Sequence, residues 1–532
     1  MLEHVVRCGE RLHIRDLRSH RVAAVALLGI ITVLLELIMA PAFAAAPNLV
    51  SVVIRGSSVY DASQLYAVYR EQLGQPVTQD GARAIVTALA AKYERDGYSR
   101  PQLKVDDGFL QVGVLRVDVF EPRISEVKIS GNPGPHLARL ESLGSQLRTD
   151  GPVTQAGVLS ALQQMRALPG LTVSATTARD DVAPNAYRLE VDTDFEPVSG
   201  SVRLSNRGTD EAGPNFVLGQ VVANGLLGGE TNLGVLFGAA TDYDEYHGLG
   251  LLANVGFGSA GGQTAFSGFR SRSDPNEPVV DRDDLYLRDR LTAGLTRPLP
   301  SFEHGTLALS AGLDFDDLEI LRSGERLRDE RLRMLKVGSS WNWRSGAAVQ
   351  YAGSIEWVKG LDGFGSGLAA VDLVDDPRRA DFALTRLSFT QLTRLTRLGE
   401  RWSVRIDVLG QQTANVLPYG ERFKIGGDRL GRGFEVAEIA GDQGLGAKVE
   451  GRNRLLNAPA SLGRASLYAF YDIGAAWKHD VPGRESAATT GFGFATQGDR
   501  FSGTLELAKP LSHADVEGRK DLRLFAEIAL SL

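Results

Sequence analysis

Between Arg464 and Lys478 every charged residue falls on one parity, and this constrains the fold more than any other feature of the chain. Strand side chains alternate between two faces, so each face can be read by itself. One face is Ala465, Leu467, Ala469, Tyr471, Ile473, Ala475 and Trp477, without a charge; the other carries Arg464, Tyr468, Phe470, Asp472, Gly474 and Lys478. A soluble sandwich strand could alternate in the same way, so repetition decides. Trp402, Val404, Ile406 and Val408 alternate with Arg401, Ser403, Arg405 and Asp407. Leu445, Ala447 and Val449 alternate with Gly446, Lys448, Glu450 and Arg452. In the last twelve residues Leu522, Leu524, Ala526, Ile528, Leu530 and Leu532 oppose Asp521, Arg523, Phe525, Glu527, Ala529 and Ser531. An aliphatic outside and an ionic inside, repeated strand after strand, is the pattern of an outer-membrane β-barrel.

The 532 residues allow several domains, and 60 glycines with 7% aromatics suit a turn-rich β protein. A net charge of -7 argues against a nucleic-acid partner. Residues 1–44 read as a signal peptide. An apolar run from Val22 to Ala40 follows Arg7, Arg11, Arg15, Arg18 and Arg21 and precedes Ala42-Phe43-Ala44, with cleavage expected before Ala45. The run is long enough for an uncleaved anchor, which is the alternative, although Glu36 lies inside it. The only cysteine, Cys8, sits in this leader, so the mature chain is expected to be thiol-free.

From residue 48 to 196 the periodicity changes, and two similar units follow one another. The first, 48–121, reads as a strand Val50–Ile54, helices Ala62–Leu73 and Thr78–Asp96, and strands Gln102–Val105 and Phe109–Val119. The second, 122–196, repeats the order: strand Ile124–Ile129, helices near Pro135–Leu147 and Thr154–Leu168, strands Leu171–Thr177 and Ala186–Val191. Each is a small α+β (βααββ) unit whose open sheet edge could accept an extended peptide as an added strand. A mere spacer is the plain alternative.

From residue 197 to 532 sixteen strand-like runs can be placed, starting near Val198, Phe216, Thr231, Tyr246, Gln263, Leu285, Gly305, Arg331, Ala347, Asp381, Arg401, Leu445, Arg464, Ala488, Phe501 and Asp521. Connections after even-numbered runs are short; those after odd-numbered runs include the long segments 360–380 and 415–444. Short periplasmic turns and longer outer loops are expected of an antiparallel transmembrane barrel. The segment 415–444 exceeds any simple hairpin, and long loops are usually functional. Its Gly426, Gly427, Gly431 and Gly433 permit tight turns and close approach to a wall. Arg432 sits between two of them, and Asp472 lies on the charge-bearing parity of its strand. An Arg–carboxylate pair between the two would brace the loop inside the lumen.

These segments carry a family resemblance. Ile124 to Asn132 resembles the opening strand of a polypeptide-transport-associated (POTRA) domain, and Val53 to Gly56 does so less fully. Leu430-Gly431-Arg432-Gly433-Phe434 resembles the arginine-glycine-aromatic tip of the sixth loop in outer-membrane transporters of two-partner secretion, the haemolysin/adhesin secretion and activation family. Phe470-Tyr471-Asp472-Ile473-Gly474 resembles the lumen-wall motif of that family. The resemblance implies two periplasmic POTRA-like domains, a sixteen-stranded pore, and an inward loop whose arginine meets the wall aspartate. It also implies that an unfolded exoprotein is received in the periplasm and passed to the cell surface. Outer-membrane lipid, periplasmic chaperones and the barrel assembly machinery are the further partners it implies. An assembly factor for other barrels and a passive porin or receptor are the alternative readings. The few residues between the expected cleavage site and the first strand leave little room for the plug helix found in family members, and the chain ends on Leu532 rather than an aromatic residue.

Other signals carry less. Gly444, Gly446 and Gly451 lack the spacing of a phosphate loop. Asp314, Asp316, Asp317 and Glu319 lack calcium-loop spacing and read as a solvated cluster where a strand enters an outer loop. No catalytic, cofactor or metal residues are expected, and the chain does not read as an enzyme.

Overall fold

The computed structural model describes residues 47–148, 151–180, 185–209, 212–258, 261–275, 284–300, 302, 305–371, 376–399, 401–456, 459, 462–512 and 520–532. The expected leader, 1–44, lies outside the described residues. By contacts the chain forms two compact units: one takes in residues up to 55 with 61–89 and 103–118, the other 56–60, 90–102 and 119–532.

The first α+β group is β1 (Ser51–Arg55), α1 (Ala62–Tyr69), α2 (Gln79–Arg95), β2 (Gln102–Asp106) and β3 (Val114–Phe120), with sheet order β1-β3-β2. β1 runs parallel to β3, as the long helical crossover between them requires. Asp61 starts α1 with a capping box closed by Gln64. Val52, Leu65, Ile85, Leu115 and Val117 are buried. The strand expected from Phe109 is instead a 3₁₀ segment, Asp107–Val112. The Asp106 carboxylate accepts from Gly108 N at 3.1 Å and turns the chain there, and Gly113 at φ 78° releases it into β3.

The second group is β4 (Arg123–Gly131), α3 (Leu137–Leu147), α4 (Gln155–Arg166), β5 (Leu171–Arg179) and β6 (Ala186–Phe195), in sheet order β4-β6-β5. Leu140, Leu143, Met165, Leu189 and Val191 form its core. Thr154 caps α4 through Gly157 N at 3.2 Å.

The wall strands are β7 (Val198–Ser205), β8 (Phe216–Asn224), β9 (Thr231–Ala240), β10 (Tyr246–Phe257), β11 (Gly262–Ser273), β12 (Asp284–Pro298), β13 (Gly305–Arg322), β14 (Glu325–Ser345) and β15 (Val349–Gly360). A short outer strand, β16 (Gly367–Ala370), pairs with β14. The wall continues with β17 (Ala383–Arg394) and β18 (Trp402–Thr413), is interrupted by β19 (Phe423–Ile425) and β20 (Ile439–Gly441) of the long loop, and ends with β21 (Gln443–Arg454), β22 (Arg464–Trp477), β23 (Glu485–Gln497), β24 (Phe501–Pro510) and β25 (Arg523–Ser531). β25 pairs antiparallel with β7, from Glu527 opposite Ser205 to Ser531 opposite Ser201, and closes a barrel of sixteen wall strands among the described residues. Closure leaves no wall edge unpaired, the condition for β structure in lipid.

Burial follows the parity read from sequence. Leu467, Tyr471, Ile473 and Trp477 are exposed on the outside, whereas Tyr468, Phe470 and Asp472 are buried. Leu249, Phe266, Leu291, Leu309, Val337 and Ile355 continue the outer apolar belt around the other strands. Most strand starts lie within a few residues of those expected; β14 begins at Glu325 rather than Arg331. The difference arises because β13 and β14 zip together beyond the belt and turn through Ser323 and Gly324 alone, both at positive φ, 49° and 82°. Of the acidic residues there only Asp314 and Asp316 are buried, but all four are ion-paired rather than left to water alone. Asp314 is buried between Arg290 and Lys336, Asp316 pairs with Arg288 at 2.8 Å, Asp317 with Arg333 at 2.5 Å, and Glu319 with Arg326 at 2.5 Å.

Two expectations follow. Phe266→Arg, on the outer face near the middle of β11, should destabilise the folded barrel by about 2–4 kcal/mol. An unchanged denaturation midpoint in lipid vesicles would contradict the outward orientation. His136 is fully buried against Pro169 O and Phe195, and its burial holds its pKa below the ordinary histidine value. The folded form therefore binds the proton more weakly than the unfolded chain, so this contribution to stability is full above the unfolded pKa of about 6.5 and is lost as pH falls below it. Protease protection of the second α+β group should weaken between pH 7.5 and 5.5, roughly across that value. His136→Gln should flatten the dependence.

Candidate functional site

The long loop enters the lumen as a two-stranded ribbon. Phe423 to Ile425 pairs with Gly441 to Ile439, and a compact tip lies between them. Gly426 at φ 121° and Gly431 at φ 84° make the turns that close this tip; a Cβ on Gly426 would lie 1.7 Å from Glu435 O. The segment expected as loop to residue 444 is shorter, because Gln443 and Gly444 already belong to β21.

The tip residues Leu430, Gly431, Arg432, Gly433 and Phe434 are all buried, whereas the adjacent Asp428 and Arg429 are exposed. Leu430 and Phe434 join Phe423, Ile425, Ile439, Ala476 and Ala487 in a small apolar core inside the lumen. The wall has sockets for it. A Cβ on Gly444 would meet the Phe423 ring at 2.0 Å, and one on Gly446 would meet Leu430 at 2.2 Å. Gly474 stands opposite Gly446 in register and faces Ile425 and Leu430 at 3.0 and 3.1 Å. Gly433 packs so tightly on the wall that a Cβ would reach Thr489 Oγ1 at 2.4 Å. The glycines of β21 and β22 are therefore steric sockets for the loop.

Arg432 and Asp472 meet at the centre of this contact. Nε and Nη2 donate to the two Asp472 oxygens at 3.1 and 2.8 Å, and the backbone N–H groups of Gly431 and Arg432 both donate to Oδ2 at 3.2 Å. Nη1 reaches Glu450 at 2.9 Å and Glu506 at 3.4 Å. The guanidinium lies 3.6 Å from the centre of the Phe470 ring, which adds a cation–π contact. Arg207 donates to Glu506 at 2.6 Å, Arg452 to Glu450 at 2.9 Å, and Tyr468 OH to Glu506 at 2.9 Å. Three arginines thus face three carboxylates, and the bidentate pair is satisfied by further hydrogen bonds, which offsets much of the cost of removing the charges from water.

Sequence reasoning missed Glu506, Arg207 and the loop's root. Glu506 lies on the inward parity of β24, opposite to that of the exposed Leu505, so strand parity could have found it; Arg207 follows β7 and carries no local signal. At the root, fully buried Asp442 accepts from Leu417 N and His479 N, each at 2.8 Å, and buried Glu421 accepts from Arg386 Nη2 at 2.7 Å. The loop is mounted at both its root and its tip, with cavities on either side. One of about 820 Å³ is lined by β7, β8 and β10–β14, and one of about 550 Å³ lies toward β13–β18.

Comparison with known proteins gives the family. The model of the haemolysin secretion/activation protein family ShlB/FhaC/HecB matches residues 188–496. The chain belongs to that family. CdiB from Escherichia coli has a similar fold, with a TM-score of 0.73 and 19% identity over 92% of this chain and 92% of that one. CdiB from Acinetobacter baumannii is similar with a TM-score of 0.63 and 16% identity over 98% of this chain and all of that one. No curated protein sequence matches. As a haemolysin secretion/activation family member, the chain is an outer-membrane two-partner secretion transporter, and in this family the POTRA-like domains lie in the periplasm.

Arg432→Ala and Asp472→Ala should each lower export more than they lower barrel insertion, and the double variant should lose less than the sum of the two. Arg432→Ala leaves the buried Asp472 without its charge partner, a cost of about 3–5 kcal/mol before lumen water is counted, whereas Asp472→Ala leaves Arg432 the carboxylates of Glu450 and Glu506 and should cost less. Gly446→Leu, which fills the Leu430 socket without touching a charge, should show the same imbalance. Additive losses would mean that the pair does not act as a unit.

Proposed function

We propose that the POTRA-like domains, taken as residues 48–121 and 122–196, receive an unfolded exoprotein, and that the barrel from 197 onward passes it to the cell surface. Family membership carries this reading. Two features support it. β1 and β2 in the first sheet, and β4 and β5 in the second, are edge strands of their own sheets, so each can pair with an extended peptide. In the barrel, the loop is tied to β21–β24 while the faces of β10–β13 border open cavity. The exported chain runs along that free wall, and the brace from Arg432 to Asp472, Glu450 and Glu506 keeps the loop out of its way. Gly431, Gly433 and Gly474 serve the brace by close approach, and Leu430, Phe434 and Phe470 by packing.

The role is binding and conduction, with no catalytic residue and no cofactor assigned. Lipid surrounds the apolar belt, and periplasmic chaperones and the barrel assembly machinery act on the chain during biogenesis. Deleting the gene and measuring its exoprotein in the medium tests the reading directly. Secretion should be lost and should return with the wild-type gene; undiminished secretion in a strain with no second transporter would refute it.

A further inference from the structure

The inner face of the barrel is not uniformly polar. On the outer half of β8–β14, Phe216, Leu218, Tyr246, Tyr286, Leu318 and Leu332 line the cavity of about 820 Å³. Register places them on the lumen side. Leu218 stands opposite Arg203, Leu332 stands opposite Asp316, Tyr286 shares the parity of Arg288, and Leu318 shares that of Asp316. Leu218 is 44% exposed although it points away from lipid, and the rings of Phe216 and Tyr246 lie 5.5 Å apart. A water-filled lumen calls for polar side chains, so water alone does not account for this apolar strip. The cavity volume lies within the roughly 300–1,000 Å³ of small-molecule sites, which combine apolar walls with a few placed polar groups.

Lys424 is such a group. Phe423 and Ile425 pack into the apolar core of the loop, so Lys424 between them in β19 points the other way, into the open lumen, where it lines the cavity. The charges that bear on it are Arg288, Glu421, Arg386 and Asp316. Those four cancel in two pairs, Arg288 with Asp316 at 2.8 Å and Arg386 with Glu421 at 2.7 Å. On the same cavity Arg203 is held by Glu527 and Arg207 by Glu506. Lys424 itself has no ion pair or hydrogen bond among the described residues; only the Tyr419 ring faces its ammonium, 4.8 Å away. Asp428 also lines the cavity without an ion pair, but it is exposed to water and is not among the charges that bear on Lys424. A half-buried ammonium with no compensating charge is costly, and an anion brought to it gains a charge-assisted contact.

We propose that this cavity binds a free fatty acid, its carboxylate on Lys424 and its acyl chain along Tyr246, Tyr286, Leu318 and Leu332. One uncompensated charge beside an apolar strip matches a ligand with one anionic end and one tail. A polyanion would find a single free cation here. A peptide segment brings an open N–H and an open C=O at every residue, and the leucine side chains of the strip offer them no partner. Binding at this place is independent of the path that any exported chain takes.

The test uses the full chain, purified in a nonionic detergent and photolabelled with hexadecanoate that carries a diazirine in its tail, the labelled residues being mapped by peptide mass. Label should reach Tyr246, Tyr286 and Leu332 in the cavity as well as Phe266 and Leu291 on the outer belt, where any apolar probe collects. Lys424→Gln should cut the cavity label about tenfold, through loss of a charge-assisted contact, and leave the belt label unchanged. Lys424→Arg, which keeps the charge, should keep the cavity label. Leu218→Glu, at a side chain already open to the cavity, should abolish it by setting a carboxylate in the path of the tail. Belt label at the wild-type level shows that each variant is folded. Unlabelled hexadecanoate should compete, and hexadecanol should not. Equal cavity label in the wild type and Lys424→Gln, or label on the belt alone, would refute the site. Stronger displacement by phosphatidylglycerol would make the occupant a two-chain lipid, and displacement by an acidic peptide alone would make it a polypeptide; either result overturns the fatty-acid assignment.

Discussion

A single buried guanidinium organises the lumen. Arg432 meets Asp472 with both arms, reaches Glu450 and Glu506 with its remaining nitrogen, and lies on the Phe470 ring. No other cation type fits this set, because the contacts need a planar fork with donors in several directions and a flat face for the ring. The surrounding sequence serves that placement. The wall glycines make sockets, the tip glycines make the turns, and Arg207 and Arg452 balance the carboxylates left over.

The brace also divides the lumen. Its partners come from β21, β22 and β24, so the loop occupies one side and the faces of β10–β13 remain bordered by open space. The root contacts of Asp442 and Glu421 make the mounting a matter of two ends rather than one. A loop held only at its tip could swing about its base; one held at both ends must break buried contacts at each before it crosses the lumen. The asymmetry of the wall is therefore a consequence of where the carboxylates stand.

Much of this could be read from the sequence, for a physical reason. A lipid-facing strand must place apolar groups on alternate positions, so the parity of Asp472, Phe470 and Glu450 was legible from one strand at a time. The long loop showed in its length and its glycines. Contacts between distant elements were not legible: Arg207 and Glu506 are 299 residues apart, and nothing local to Arg207 marks it. The β13–β14 extension is not legible locally, because its acidic residues look solvated when their partners Arg288 and Arg290 lie on another strand. Phe109 reads as strand from its apolar neighbours, but the Asp106 side-chain turn competes locally and prevails.

In the function proposed above, the loop stays braced on its wall while the exported chain passes along the opposite one. Cysteines at Leu430 and Gly446, whose side-chain positions touch, would form a disulfide that locks the tip in its socket. The decisive measurement is secretion by cells carrying this double variant, oxidised and then reduced. Secretion should be equal in both states. Secretion abolished by the disulfide and restored by reductant would show that the loop must leave its wall, and would contradict that proposal.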